Sequence, residues 1–172
     1  MSLPDGDYIS IQDHLAAAIE ADTGPGGLRE ETDPAVKTVE AQLRKEPRAY
    51  RDHEVPAIAV VVMGKEERRE AGASVRNYRL AMYVYCRGLD VQAEIALCQR
   101  ISSRLEDLLR EENQPDRMLG DLPGALAWSA ESLILTPSHT EFLTGEEAHR
   151  GQPQYAVLGL VEADLEIPAS AY

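Results

Sequence analysis

The sequence predicts an α+β fold: a largely antiparallel sheet of about four to five strands with two helices packed on one face. Two segments repeat apolar residues at helical spacing, and several others alternate apolar and polar residues as strands do. Glycine and proline clusters separate these segments. The 172 residues are predicted to form a single domain, long enough to fold without a disulfide or a metal.

The first helix is predicted from Ile11 to about Asp22, after a capping pair formed by Ser10 and Asp13. The glycines of "TGPGG" end it and open an irregular stretch over residues 23–33.

Residues 34–46 fit two structures. Pro34 after Asp33 is typical of a helix start, whereas the alternation of Val39, Ala41 and Leu43 with polar residues is typical of a strand. We favour a strand, because the β-branched run "PAIAVVVMG" needs an extended partner. The charged segment "GKEERREAGASVRN" then predicts a solvated loop.

A clean strand follows, in which Tyr78 to Cys86 alternate between an apolar face and an amphipathic face. The amphipathic face contains Tyr83, Tyr85 and Arg87, a composition that suits a subunit or partner interface. Ordinary surface aromatics are the competing interpretation.

The longest helix is predicted over Val91 to Glu112, with an apolar stripe facing inward. A strand is predicted in "ALAWSAESLILTP", which contains Trp128, and a final strand from Tyr155 to about Ile167. Between them, two prolines indicate an irregular loop over 137–153. Both helices are expected on one sheet face, leaving the other solvated or covered by a neighbouring subunit.

Composition bounds the function. The formal charge of -13 disfavours a general affinity for DNA or for an anionic membrane. Cys86 and Cys98 are predicted to be buried free thiols. The start "MSLPDGDY" and the absence of a long apolar run predict neither export nor insertion.

The segment "HTEFLTGEEAH" is nearly palindromic and offers His139, Glu141, Glu147 and His149. If the chain folds back near Thr144, these four could bind zinc or a similar metal in a small metal-dependent enzyme or ligand-binding domain. Such pairing would also place two glutamates opposite each other. We therefore favour a docking loop, and predict no metal.

Other catalytic chemistry is scarce. The sequence has no phosphate-binding glycine pattern and no nucleophile motif, and "TGPGG" lacks the lysine that would hold a nucleotide. His14 and His53 fit a packed and an exposed histidine, respectively. We predict no enzymatic activity and no cofactor.

Seven segments in a particular order carry a family resemblance. They are "SIQDHLAAAIEA", "VKTVEAQL", "VPAIAVVVMG", "NYRLAMYVYCRG", "DVQAEIALCQRISSRLEDLL", "ESLILTPSHTEFL" and "QYAVLGLVEADLEIP". This order resembles the tail terminator and tail completion proteins, which are minor tail proteins of long-tailed bacteriophages and prophages. Segments 23–33 and 137–153 are longer than the minimal form of that family needs.

The resemblance implies a structural virion protein that forms a ring, usually a hexamer, capping the tail tube. Its partners would be copies of itself, the tail-tube protein and a head-completion or connector protein, with DNA passing through unbound. It would assemble in the bacterial cytoplasm and reside in the virion tail. Related neck components share the architecture, so another neck role stays open.

A closed ring needs two different patches on each subunit. The tyrosine face is one candidate, and the loop residues Phe142, Leu143 and Glu146 are the other. Acids near the bore would keep the duplex from sticking, and Glu162, Asp164 and Glu166 are candidates for that role.

Overall fold

In the part of the chain that the structure describes, a five-stranded sheet forms the centre and two helices pack against it. The computed structural model describes residues 6–44, 50–112, 134–149 and 152–169. The elements are α1 (Asp7–Glu20), β1 (Thr38–Glu40), β2 (Ala57–Glu70), β3 (Ala73–Gly88), α2 (Val91–Glu112), β4 (Ile134–His149) and β5 (Gln152–Ala169). The strand order is β1-β2-β3-β5-β4, with β1 parallel to β2 and every other pair antiparallel. The predicted α+β fold is confirmed.

Helix α1 starts at Asp7, one turn before the predicted start at Ile11. Gly6 is the N-cap and makes no side-chain capping bond, so the predicted capping pair is wrong: Ser10 and Asp13 both lie inside the helix. Ile11, Leu15 and Ile19 are fully buried, as their spacing requires. The stretch 23–33 contains neither helix nor strand, as predicted.

Strand β1 is much shorter than predicted, only three residues, and no helix forms in the described part of 34–46. Beyond it, the side-chain amide of Gln12 continues the hydrogen bonding of the sheet edge. Gln12 Oε1 accepts from the Val62 N–H at 2.9 Å, and Gln12 Nε2 donates to the Ala41 carbonyl at 2.9 Å. Leu43, predicted to alternate inward, is 51% exposed.

The charged segment 64–77 is not a loop, and that prediction is wrong. Strands β2 and β3 pair as far as Glu70 opposite Ala73, around a tight turn at Ala71 and Gly72. Charged side chains are compatible with a strand wherever both faces of a hairpin arm contact water. A bulge at Met63 separates this arm from the apolar part of β2.

Helix α2 has the predicted bounds. Asp90 begins it by accepting hydrogen bonds from the N–H groups of Gln92 and Ala93, at 3.0 and 3.3 Å. Its stripe of Cys98, Ile101 and Leu105 is buried against the sheet.

The predicted irregular loop over 137–153 is also wrong. Strands β4 and β5 pair continuously from Ile134 opposite Glu166 to His149 opposite Gln152, apart from a bulge at Ser138. Pro137 adjoins that bulge on an edge strand, and Pro153 lies beyond the point where β3 ends. Proline is tolerated at such edges and bulges, because its missing N–H breaks no central ladder. Trp128 and the first part of its predicted strand lie outside the described residues.

The core lies between the two helices and one face of the sheet, so the prediction that both helices cover one face is confirmed. Strands β2, β3 and β5 contribute every second residue to it, in phase with each other. Its largest fully buried side chains are Tyr78, Ile11, Leu15, Ile19, Ile58, Leu80, Met82, Ile101, Leu105 and Leu109.

Candidate functional site

The sheet face opposite the helices, here called the open face, has two chemically distinct halves. Its side chains follow from the strand register, because alternate residues of paired strands share a face. The apolar half consists of Ala57, Ala59, Val61, Ala81, Tyr83, Tyr85, Leu143, Ala156, Leu158 and Leu160. The charged half consists of Glu66, Arg68, Asn77, Arg79, His139, Glu141, Glu162, Asp164 and Glu166.

A cavity of about 280 Å³ opens in the apolar half. It is lined by Leu43, Arg44, Tyr50, Ala59, Tyr83, Tyr85 and Leu158. This cavity is here called the trough; Ala59 in its lining is 4% exposed, and Ala81 on the same face is 1% exposed. Tyr83 and Leu158 are only partly buried, which leaves apolar surface available to a partner.

Tyr50 covers one end of the trough. Its ring stacks on that of Tyr85, with centroids 5.8 Å apart, and the Arg44 guanidinium lies 4.2 Å from the Tyr50 centroid on the ring face. Tyr50, Ala57, Tyr85 and Ala156 form a small hydrophobic cluster separate from the main core.

Arg44 lies between two carboxylates at the rim of the trough. Its guanidinium is 2.6 Å from Glu40 Oε1 and 3.0 Å from Glu54 Oε1. The hydrogen bonds from Arg44 and from the Arg51 N–H lower the pKa of Glu54 to about 2. Burial and the charge of Glu40 raise the pKa of Tyr50 to about 12, so its hydroxyl stays neutral and donates to Glu40 at 3.2 Å.

Two of the three predicted interface residues on β3 are engaged within the chain. Arg87 donates to the Tyr50 carbonyl at 2.9 Å and to Asp52 Oδ1 at 2.8 Å, and its side chain is 4% exposed. Tyr85 is buried beneath Tyr50. Tyr83, the third of these β3 residues, is partly open to solvent.

The predicted bore acids form a row in the charged half. Glu162, Asp164 and Glu166 are spaced two residues apart on β5 and so point the same way. Glu166 is paired with Arg68 Nη2 at 3.0 Å, whereas Glu162 and Asp164 have no cation within ion-pair distance among the described residues. Glu162 and Asp164 line a second cavity, of about 200 Å³, together with Arg79.

The candidate interface residues on β4 lie on opposite faces. The Phe142 ring lies on the helix side, near Gly159 of β5, while Leu143 lies on the open face and is 61% exposed. Glu146 is exposed opposite Tyr155, close to the tip of the β4–β5 hairpin.

The structure does not bring the four candidate metal ligands together. His139 pairs with Glu162 and His149 with Gln152, so the chain does not fold back near Thr144, the arrangement on which a metal site would depend. Ten residues of extended strand separate the two histidines, a distance of roughly 30 Å. His139 Nε2 lies 3.5 Å from Glu141 Oε2, and the described residues contain no group of three metal-ligating side chains.

Cys86 and Cys98 are buried free thiols, as predicted. Cys98 Sγ approaches the Val84 carbonyl at 3.8 Å, and the neighbouring Cys98 thiol together with burial raises the pKa of Cys86. His14 is half-buried next to the Ser10 carbonyl, and His53 is exposed in the 3₁₀ turn Asp52–Glu54. None of these residues joins the open-face trough.

The cluster around Arg44 and Tyr50 was missed by the sequence analysis. Glu40 and Arg44 have the i, i+4 spacing that would pair them on a helix, but this segment is not helical. No pattern of charged or apolar residues in this part of the sequence specifies a contact between Arg44 and Tyr50.

No protein-family model matches the chain, and no curated protein matches its sequence significantly. Among the described residues, neither helix combines the length and apolar character that crossing a membrane requires.

Proposed function

We propose that this chain is a structural subunit of a phage or prophage tail, a tail terminator that forms a ring joining the tail tube to the head connector. The observation that carries the proposal is the presence of two unlike exposed surfaces on one small domain. One is the β4 edge, where Phe142 and Leu143 are exposed, and the other is the opposite side of the sheet, where Tyr8 and Ile9 at the start of α1 are 45% and 43% exposed next to β2.

A ring requires such a pair, because each subunit must offer one patch to the neighbour ahead and a different patch to the neighbour behind. The two surfaces lie on different parts of the sheet, so one copy can use both at once. Among the described residues, the 16-residue strand β4 pairs with β5 on one side, and its other edge has no partner strand. The charge of -13 suits a conduit that DNA passes without being held.

The ring is tested by negative-stain imaging and native mass spectrometry of the full chain. We expect rings of uniform diameter, lost in Leu143→Lys and kept in Leu89→Lys. Leu89 is the matched control, because it is 67% exposed in the turn before α2, compared with 61% for Leu143. Equal behaviour of the two variants would show that Leu143 does not lie at a subunit contact.

Location is tested in particles purified from a phage or prophage that encodes this chain. An antibody or gold label on the chain should mark the tail end next to the head. Particles that lack the chain, or a label at the distal tip, would contradict the terminator role.

A further inference from the structure

The acidic residues Glu162, Asp164 and Glu166 share the open face with the trough, and this limits which kind of molecule can bind there. Glu162 adjoins Ala81 and Asp164 adjoins Arg79, on the same face as Tyr83. If this face lined the bore, the apolar trough would be exposed to the water-filled channel together with the acids. A trough with tyrosine and leucine walls is instead typical of a surface covered by another protein.

We propose that the open face is the docking site for a cationic amphipathic helix of a partner protein. The inference rests on the proposed function only in taking that partner to be a tail or connector component. The helix would place its apolar end in the trough and its basic end over Glu162 and Asp164.

The dimensions of the face fit a helix. A helix is about 10 Å wide with its side chains, which matches two strands spaced about 4.8 Å apart, and β3 and β5 are the central pair of the face. From Leu158 to Glu166 the face runs about 27 Å along β5. A helix of about 18 residues covers that length. Tyr83, Leu158 and Leu160 are the partly buried apolar side chains along β3 and β5 that such a helix would cover.

The charges of the face select a basic helix. The charged half holds five carboxylates against two arginines and one histidine, listed above by strand register. Successive acids on β5 are about 6.8 Å apart, and side chains four apart on a helix rise about 6 Å. Lysine or arginine at i and i+4 can therefore meet Glu162 and Asp164 in turn. A second copy of this chain is a poor source of such a helix, because the exposed side of α2 carries Asp107 and Glu111 beside its arginines.

Two synthetic peptides test the inference. One is a fluorescein-labelled helix of about 18 residues with a leucine stripe at one end and lysines at i, i+4 spacing at the other; the second has glutamate in place of each lysine. Binding is measured by fluorescence anisotropy. We expect the lysine peptide to bind the wild-type chain and the glutamate peptide to bind at least about tenfold more weakly.

Charge reversal separates docking from general attraction to an acidic protein. The double variant Glu162→Lys, Asp164→Lys should reverse the preference between the peptides. The double variant Glu31→Lys, Asp33→Lys makes the same charge change at two exposed positions in the 23–33 stretch and should keep the wild-type preference. Equal loss of binding in both double variants would overturn the inference.

The apolar contact is tested at the rim of the trough. Leu43→Asp should weaken both peptides, while Leu89→Asp should not; both positions are exposed, so neither change disturbs the core. Amide chemical-shift changes on addition of the lysine peptide should concentrate on β3 and β5. Shifts concentrated on α2, or no binding of either peptide at millimolar concentration, would overturn the docking site.

A negative result in the peptide assay and a negative result in the ring assay contradict different proposals. Rings that form from a chain unable to bind the peptide would remove the docking inference and leave the terminator proposal. Peptide binding by a chain absent from phage particles would do the reverse.

Discussion

Asp22 and Arg104, 82 residues apart in the chain, are joined by two hydrogen bonds of 2.6 and 3.0 Å. Asp22 Oδ2 also accepts from the Leu28 N–H at 2.8 Å. Burial alone would raise the pKa of Asp22, but the hydrogen bonds from Arg104 and Leu28 hold it below its ordinary value. One carboxylate thereby fixes the glycine-rich turn after α1 to the middle of α2.

Removal of this carboxylate should destabilise the protein. We expect Asp22→Ala to lower the free energy of unfolding by about 2 kcal/mol, because the Leu28 N–H and the Arg104 guanidinium lose their acceptor. Urea denaturation measures the change. Asp107→Ala, at a 60% exposed partner of Arg110, should change stability by less than about 0.5 kcal/mol. Equal losses in the two variants would contradict the assigned role of Asp22.

The Arg44–Glu54 ion pair should make stability depend on pH in a defined window. The pKa of Glu54 is about 2 in the folded protein, below its ordinary 4.5. Because the folded pKa is lowered, the stabilisation is complete above pH 4.5 and is lost as the pH falls toward 2. The difference in urea midpoint between wild type and Glu54→Gln should therefore shrink between about pH 7 and about pH 3. The exposed Glu31→Gln is the control, and a difference that grows on acidification would refute the assignment.

The turn of the β2–β3 hairpin should be improvable. Ala71 and Gly72 have φ values of 48° and 83°, the left-handed region that favours asparagine followed by glycine in such turns. Ala71→Asn should raise the free energy of unfolding by about 0.5 to 1 kcal/mol, whereas Gly72→Ala should lower it by about 1 kcal/mol. Thermal denaturation of both variants checks the pair of signs, and a stabilising Gly72→Ala would show that the turn differs from this description.

Close packing of α2 on β5 depends on Gly159. A Cβ added there would lie 2.9 Å from Cys98 Sγ and 3.0 Å from Ser102 Oγ. Gly159→Ala should therefore lower the free energy of unfolding by about 1 to 3 kcal/mol through overpacking. Cys98→Ala removes one of the crowded atoms, so the double variant should be more stable than the sum of the single effects predicts. Strict additivity in the double-mutant cycle would contradict the contact.

The sequence predicts most accurately the helices and strands that bury one face and expose the other, because their apolar residues then recur at a regular spacing. Helix α2 alternates between core and water at every turn, and β3 does so at every second residue, so their patterns located them accurately. The hairpin arm 65–70 and strand β4 face water on much of their surface. Their composition therefore resembled that of a loop, although backbone pairing made both of them strands.

The site was predictable only in part for a related reason. Alternation placed Tyr83 on the amphipathic face of β3, since that depends on strand phase alone, whereas Leu143 was predicted in a loop and is an exposed residue of β4. The covering of Tyr85 by Tyr50 depends on how the segment after β1 returns across the sheet. Tyr50 and Tyr85 are 35 residues apart, and Tyr50 lies outside the helices and strands, so no periodic signal in the sequence relates the two rings.

Salt should strengthen the association of copies and weaken peptide docking. Each copy has a formal charge of -13, so neighbours in a ring repel, and screening shortens that repulsion from about 10 Å at 0.1 M salt to about 3 Å at 1 M. Sedimentation velocity at fixed protein concentration should therefore show larger assemblies as sodium chloride increases. The lysine peptide is attracted to Glu162 and Asp164, so its affinity should fall over the same range. Two opposite salt slopes from one protein require two different kinds of contact; if assembly instead dissolved with salt, ion pairs would hold the copies together and the apolar surfaces around Leu143 would not.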